Sequence, residues 1–200
     1  MPRVNGHEHS STRVHDQRGD TIATVGHIAA GIGIASGAGY LRDWLVLVTL
    51  TVAALIPDID FLLGIQHRGW THTIGFAAVF GVVAAGLMWK SHRPRPVLIG
   101  TLAFAAVASH LVLDIITAPD PLPALWPLTR REFALEDSIL PAAPPMDRLL
   151  TAGGLLETAA EIVWSTVLVV AAVLVDGRWR TWRAKRVRDN RTAGPTPVPD

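Results

Sequence analysis

The chain has 200 residues, of which 50% are hydrophobic and 18% charged, with a formal net charge of +1 and a mean hydropathy of +0.33. It contains no cysteine, which excludes disulfides and thiolate metal sites and leaves His and carboxylate as the ligands for any metal. The charges crowd into the two ends and the stretch after residue 117, the distribution of a polytopic membrane protein rather than of a soluble globule.

Residues 1–21 form a polar N-terminal tail carrying His7, His9 and His15, which read as tail residues rather than ligands. No apolar run precedes Thr21, so a cleavable signal peptide is not expected. Apolar segments follow at about Ile22 to Tyr40, Trp44 to Gly64, Thr73 to Trp89, Val97 to Ile116 and Leu155 to Val175. The last four are each long enough, at about 1.5 Å per residue, to span a hydrocarbon core of roughly 30 Å. The first either spans or forms a re-entrant hairpin. Its Gly31, Gly33, Gly37 and Gly39 suit close helix packing, and their spacing is wrong for a dinucleotide loop. Residues 22–177 are therefore expected to form an all-α, membrane-embedded bundle of about five transmembrane helices. Within it, residues 118–151 hold seven prolines, which rules out a long helix and predicts an extramembrane loop with an interfacial Trp126-Pro127 turn. Residues 178–200 are expected as a basic, disordered tail; Arg178 to Arg191 carries seven Lys and Arg against one Asp. That asymmetry fits the cytoplasmic side of a membrane, and no nucleic-acid-binding motif accompanies it.

Orientation follows from the Lys and Arg counts. With the C-terminus cytoplasmic, the loop carrying Lys90, Arg93 and Arg95 also falls inside, as does Arg42. His27, Asp58, Asp60, His67, His72, His110, Asp114, Glu157 and Glu161 then all fall at the outer end. Ionisable residues are costly in or near lipid, so this convergence predicts a metal site facing the outer surface. His92 falls on the opposite face and is excluded.

Three local patterns carry the chemistry. His110 and Asp114 lie four residues apart, on one helix face, and can chelate one ion; they also fit a satisfied polar pair inside a bundle. Pro57 kinks or ends the helix before Asp58-Ile59-Asp60. Residues two apart point to opposite sides, so one aspartate can ligate while the other orients a ligand, unless the kink turns both inward. Solvated acids at an interfacial helix end are the alternative. The run His67-Arg68-Gly69-Trp70-Thr71-His72-Thr73 joins two imidazoles to a guanidinium whose fork matches phosphate oxygens. An interfacial loop anchored by Trp70 is its alternative. Glu157 and Glu161 share a face and either complete the site or serve as acids near a helix N-terminus. The candidates exceed the three or four protein ligands of a single catalytic zinc, which leaves room for a two-metal site.

In order, His27, Pro57 to Asp60, His67 to Thr73 and Ser109 to Asp114 resemble the YdjM-like membrane-bound metal-dependent hydrolases of bacteria. Leu125-Trp126-Pro127 with Arg130 and Arg131 is similar to the family's following region, so the resemblance covers roughly Thr24 to Arg131. It implies a multi-pass inner-membrane protein with His27, Asp58, His67, His72, His110 and Asp114 as metal ligands. It also implies Asp60 and Arg68 as catalytic or ligand-orienting residues. The implied cofactor is one or two divalent ions, zinc first, with manganese or iron as alternatives. The ligand repertoire is also similar to that of zinc-dependent phospholipase C and related helical nucleases, although the Trp ligand at their mature N-terminus has no counterpart here.

The leading expectation is a hydrolase that cleaves a phosphoester with a metal-held hydroxide. Its substrate would be a phospholipid headgroup or lipid-linked phosphate, gripped by Arg68 with Arg130 or Arg131. The alternative is a non-catalytic metal-binding or cation-transporting membrane protein. Transporters place ion sites near the midplane, often between internal repeats, whereas these ligands sit near one face and no repeat is evident. A purely structural role, with polar residues cementing helices, leaves the clustering at one end unexplained.

Overall fold

The computed structural model describes residues 24–63, 68–117, 121–135, 137–141, 144 and 148–192. They form α1 (Thr24–Gly37), α2 (Trp44–Leu55), a 3-10 turn (Ile56–Asp58), α3 (Ile59–Leu62), α4 (Ile74–Lys90), α5 (Pro96–Thr117) and α6 (Ala152–Thr192). No strand forms among the described residues; an isolated antiparallel bridge joins Leu122 and Phe133. The architecture is all-helical. Two helices, α5 and the Ala152–Arg178 part of α6, are long and apolar enough to cross a membrane, while α1, α2 and α4 are shorter.

The helix ends have local causes. Asp43 caps α2, its side chain accepting from the Val46 N–H at 3.4 Å, and Thr73 caps α4, accepting from the Phe76 N–H at 3.0 Å. Pro57 lacks an N–H, so the regular helix stops at Leu55 and the chain tightens into the 3-10 turn that carries Asp58. α6 runs on through Thr192, where a disordered tail from Arg178 was expected. No Pro or Gly interrupts Arg178 to Thr192, and its Arg, Lys and Ala are good helix formers that extend a helix already nucleated.

The core lies among α2, α4 and α5, where Val46, Leu50, Ala53, Ala77, Ile99, Ala103, Ala106 and Val107 are buried. Small residues set how closely these helices approach. A Cβ on Gly100 would meet the Gly81 carbonyl oxygen at 2.5 Å and Ala85 Cβ at 2.6 Å, so α4 and α5 touch backbone to backbone there. α1 meets α2 the same way: a Cβ on Gly31 would lie 2.7 Å from Thr51 Cα. Large apolar side chains meanwhile point outward on α4 and α6, among them Val79, Val82, Leu87, Leu156, Val163, Val167 and Leu174. Uncovered apolar faces of this extent suit a lipid surrounding.

Because successive helices alternate in direction, the bundle has two distinct ends. One gathers the start of α1, the end of α2, the start of α4, the end of α5 and the start of α6. The other gathers the α1–α2 and α4–α5 connections, where Arg93 donates to Asp43. The segment after α5 folds over the first end. Its Ala124 and Trp126 carbonyls accept from the Ile74 and Gly75 N–H groups, and the Ile139 and Leu140 N–H groups donate to the Ile116 carbonyl. No α-helix forms in its described residues.

Candidate metal centre

Four side chains from three parts of the chain converge at the end that this segment covers. Asp58 comes from the 3-10 turn, His72 from the turn before α4, and His110 and Asp114 from α5. His110 Nε2 lies 3.2 Å from His72 Nε2, 3.3 Å from Asp58 Oδ1 and 3.4 Å from Asp114 Oδ2. His72 Nε2 lies 3.3 Å from Asp114 Oδ2 and 3.6 Å from Asp58 Oδ1. Both imidazoles are fully buried, Asp114 nearly so, and Asp58 is the most open, with its side chain 24% exposed.

The neighbours of these groups fix which atoms carry protons. Ala54 is among the last four residues of α2, whose carbonyls run out of helical partners. Its carbonyl oxygen sits 2.7 Å from His110 Nδ1 and requires a proton there. On His72, Nδ1 faces Asp60 Oδ2 at 3.3 Å and the Thr71 hydroxyl at 3.1 Å. That hydroxyl donates to Asp60 Oδ2 at 2.8 Å, so it cannot also donate to the ring, and His72 Nδ1 is the donor. Neutral imidazoles held this way point their Nε2 lone pairs inward. Two lone pairs and two carboxylate oxygens then face one another with no donor among them. Such a group needs a cation at its centre, either protons or a metal ion. Without a metal, burial disfavours the charged His72, but hydrogen bonds to Asp114 and Asp58 outweigh it and hold its pKa above the ordinary imidazole value.

The spacing fits a metal. A tetrahedral ion with ligands at about 2.0–2.1 Å has ligand atoms about 3.3–3.4 Å apart. The five separations given above run from 3.2 to 3.6 Å. Asp58, His72 and His110 could therefore hold a metal ion together, and Asp60 and the Ala54 carbonyl lie where outer partners orient metal-binding imidazoles.

His27 adds a second, overlapping group with His110 and Asp114. Its ring stacks on His110 at 3.7 Å between centroids, and its Nε2 lies 3.4 Å from Asp114 Oδ1, the oxygen turned away from the other imidazoles. Its Nδ1 is buried without a hydrogen-bond partner. Trp164 of α6 packs over Gly26, where an added Cβ would meet the indole at 2.3 Å. Glu161 of α6, also fully buried, accepts from the Gly26 N–H at 3.0 Å. A carboxylate at that helix N-terminus is favourable and seats the turn that carries His27.

The remaining sequence-derived residues fall in different places. Asp60 lies behind His72. Arg68 is buried, with its backbone in the left-handed region at φ 59° and its N–H donating to Asp60 Oδ2 at 3.1 Å. His67 lies outside the described residues. Glu157 faces Arg148 at 3.6 Å on the exposed side of α6 rather than the cluster. Arg130 and Arg131 are exposed beyond the Trp126-Pro127 turn. Neither guanidinium makes a hydrogen bond or ion pair among the described residues. Sequence reasoning missed Thr71 and the Ala54 carbonyl. A hydroxyl beside a ligand is a weak signal, and a backbone carbonyl is none.

Over 176 residues the chain is 24% identical to the inner membrane protein YbcI of Escherichia coli (strain K12), an alignment covering 82% of this chain and 99% of that protein. No solved structure matches the chain. Residues 22–183, which include every helix that contributes to the cluster, match the model of the YdjM inner membrane proteins, and the chain belongs to that family.

Proposed function

We propose that the protein is a multi-pass inner-membrane hydrolase that uses a divalent metal ion, zinc first, to cleave a phosphoester in a lipid headgroup or lipid-linked phosphate. The observation that carries this reading is the convergence of Asp58, His72 and His110, with Asp114 beside both imidazoles, at separations of 3.2 to 3.6 Å. His72, His110 and Asp114 are the buried anchors. Asp58 occupies the open side, where water can reach the ion and where its carboxylate can take up that water's proton. A divalent ion there lowers the pKa of a bound water and neutralises charge on a phosphoryl oxygen.

Two features support a lipid substrate. His110 and Asp114 lie 14 and 18 residues along α5 from Pro96, about 21 and 27 Å, which is close to the membrane surface for a helix entering from the far side. Trp70, Trp126 and Leu128, all exposed, surround that end as interfacial residues do. The orientation that places this end outside and the C-terminus in the cytoplasm rests on the Lys and Arg of the α4–α5 connection and α6. Five crossings follow if α1, α2 and α4 span a thinned or helix-crowded region, since α1 is only about 21 Å long.

A non-catalytic metal site is the second reading. Four protein ligands saturate a tetrahedral ion, as in structural zinc sites. Plasma mass spectrometry of the detergent-purified protein, beside His72→Ala/His110→Ala and Asp58→Asn, separates the readings. The hydrolase reading expects one to two equivalents of metal in the parent and none in the double variant. It expects metal retained in Asp58→Asn with phosphoester cleavage lost. Metal in the parent without cleavage of any phospholipid or lipid phosphate favours the second reading. No metal after reconstitution overturns both.

A further inference from the structure

A groove of about 920 Å³ lies at the opposite end of the bundle, between the end of α1 and the middle of α6. It is lined by Gly37, Val175, Asp176, Arg178, Thr181, Trp182 and Lys185. Three observations bear on its occupant. The groove begins where the apolar part of α6 ends at Arg178, so its Val175 wall is continuous with the exposed Val173 and Leu174 of the apolar span. Its rim is cationic: Arg178 and Lys185 are exposed on it, and Arg186 lies 4.8 Å over the Trp182 ring beside it. Asp176 on the same wall is buried and has a partner of its own.

An apolar wall passing into a cationic rim with a half-exposed indole matches a phospholipid at headgroup depth. The acyl chain would lie along α1 and α6, and the phosphate would meet Arg178 and Lys185. The helical continuation of α6 adds to this. Arg178, Lys185, Arg186 and Arg188 lie on this continuation, directly after the apolar span. We infer that this groove binds one anionic phospholipid of the cytoplasmic leaflet. The inference rests on the proposed orientation of the C-terminus and is independent of any hydrolase activity.

Native mass spectrometry of the full chain tests it, after titration with phosphatidylglycerol or phosphatidylcholine in detergent. One phosphatidylglycerol is expected to stay bound with at least about tenfold preference over phosphatidylcholine. Arg178→Gln/Lys185→Gln should lower that preference about tenfold or more, since each interfacial cation contributes roughly fivefold. Arg148→Gln, at the other end, should not change it. Nothing lies within 4 Å of a Cβ built on Gly37, so Gly37→Leu fills the groove without touching charge and should weaken binding on its own. That variant decides the matter if the charge variant fails to fold. Equal retention of both lipids, or binding unchanged in Gly37→Leu, overturns the inference. Displacement of the lipid by millimolar inorganic phosphate also overturns it, by showing a site for phosphate alone.

Discussion

The two ends of this bundle use the same residue types to opposite effect. At the end formed by the α1–α2 and α4–α5 connections Asp43 meets Arg93, both about a third exposed, in a pair that water could replace at little cost. At the opposite end Asp58, His72, His110 and Asp114 are drawn from three parts of the chain into a space with no donor among their facing atoms when both imidazoles are neutral. A paired charge at a helix end explains itself; converging buried acceptors do not. Burial together with uniform acceptor character, rather than the number of ionisable residues, is what separates a ligand-binding cluster from interfacial decoration.

The contrast can be broken or sharpened by experiment. The largest effect should come from His72→Ala/His110→Ala, which removes both imidazoles; metal content should fall to background while helical circular dichroism persists. Asp60→Asn should follow. It leaves every inward-facing ligand atom in place but weakens the acceptor behind His72 Nδ1, and outer partners of this kind contribute about 10–100-fold in metal affinity or activity. Competition against a chromophoric chelator would measure it, and an unchanged affinity would remove Asp60 from the site.

Acidity comes next. Because the pKa of His72 is raised in the metal-free protein, its protonated form stabilises that form fully below about pH 6.5. The stabilisation is lost as pH rises through the raised value. Metal binding inverts this dependence, since the ion must displace the proton; apparent affinity should fall about tenfold for each unit by which pH falls, per proton displaced. Thermal unfolding with and without metal across pH 5 to 9 should give slopes of opposite sign. The smallest effect belongs to the other end: Arg93→Ala should change stability by no more than about 1 kcal/mol and leave metal content untouched.

Much of this was legible in the chain because lipid permits so few charges. Apolar runs marked the helices, and alternating direction alone sent His27, Asp58, His72, His110 and Asp114 to one end. What escaped the sequence was decided by local geometry or by distant backbone. Whether Asp58 or Asp60 faces inward depends on the 3-10 turn that Pro57 imposes. Glu161 and Glu157 share a helix face in the sequence, yet one reaches the Gly26 N–H and the other Arg148. Arg130 and Arg131 stand apart from the cluster because the segment carrying them is fixed by its own bonds to Ile74, Gly75 and Ile116. Helix continuation past Arg178 was legible in the absence of breakers, but the charge of that stretch concealed it.

The contact between Gly81 and Gly100 gives the centre a mechanical dimension. His72 sits nine residues before Gly81 and His110 ten residues after Gly100, so each imidazole rides at the tip of an arm about 15 Å long. The crossing is the fulcrum of that scissor. A tilt of about 5° there moves a tip by roughly 1 Å, more than the difference between one ion's preferred bond length and another's. A methyl group added at Gly100, far from the cluster, would therefore change the spacing of the two imidazoles and with it the ion they could hold.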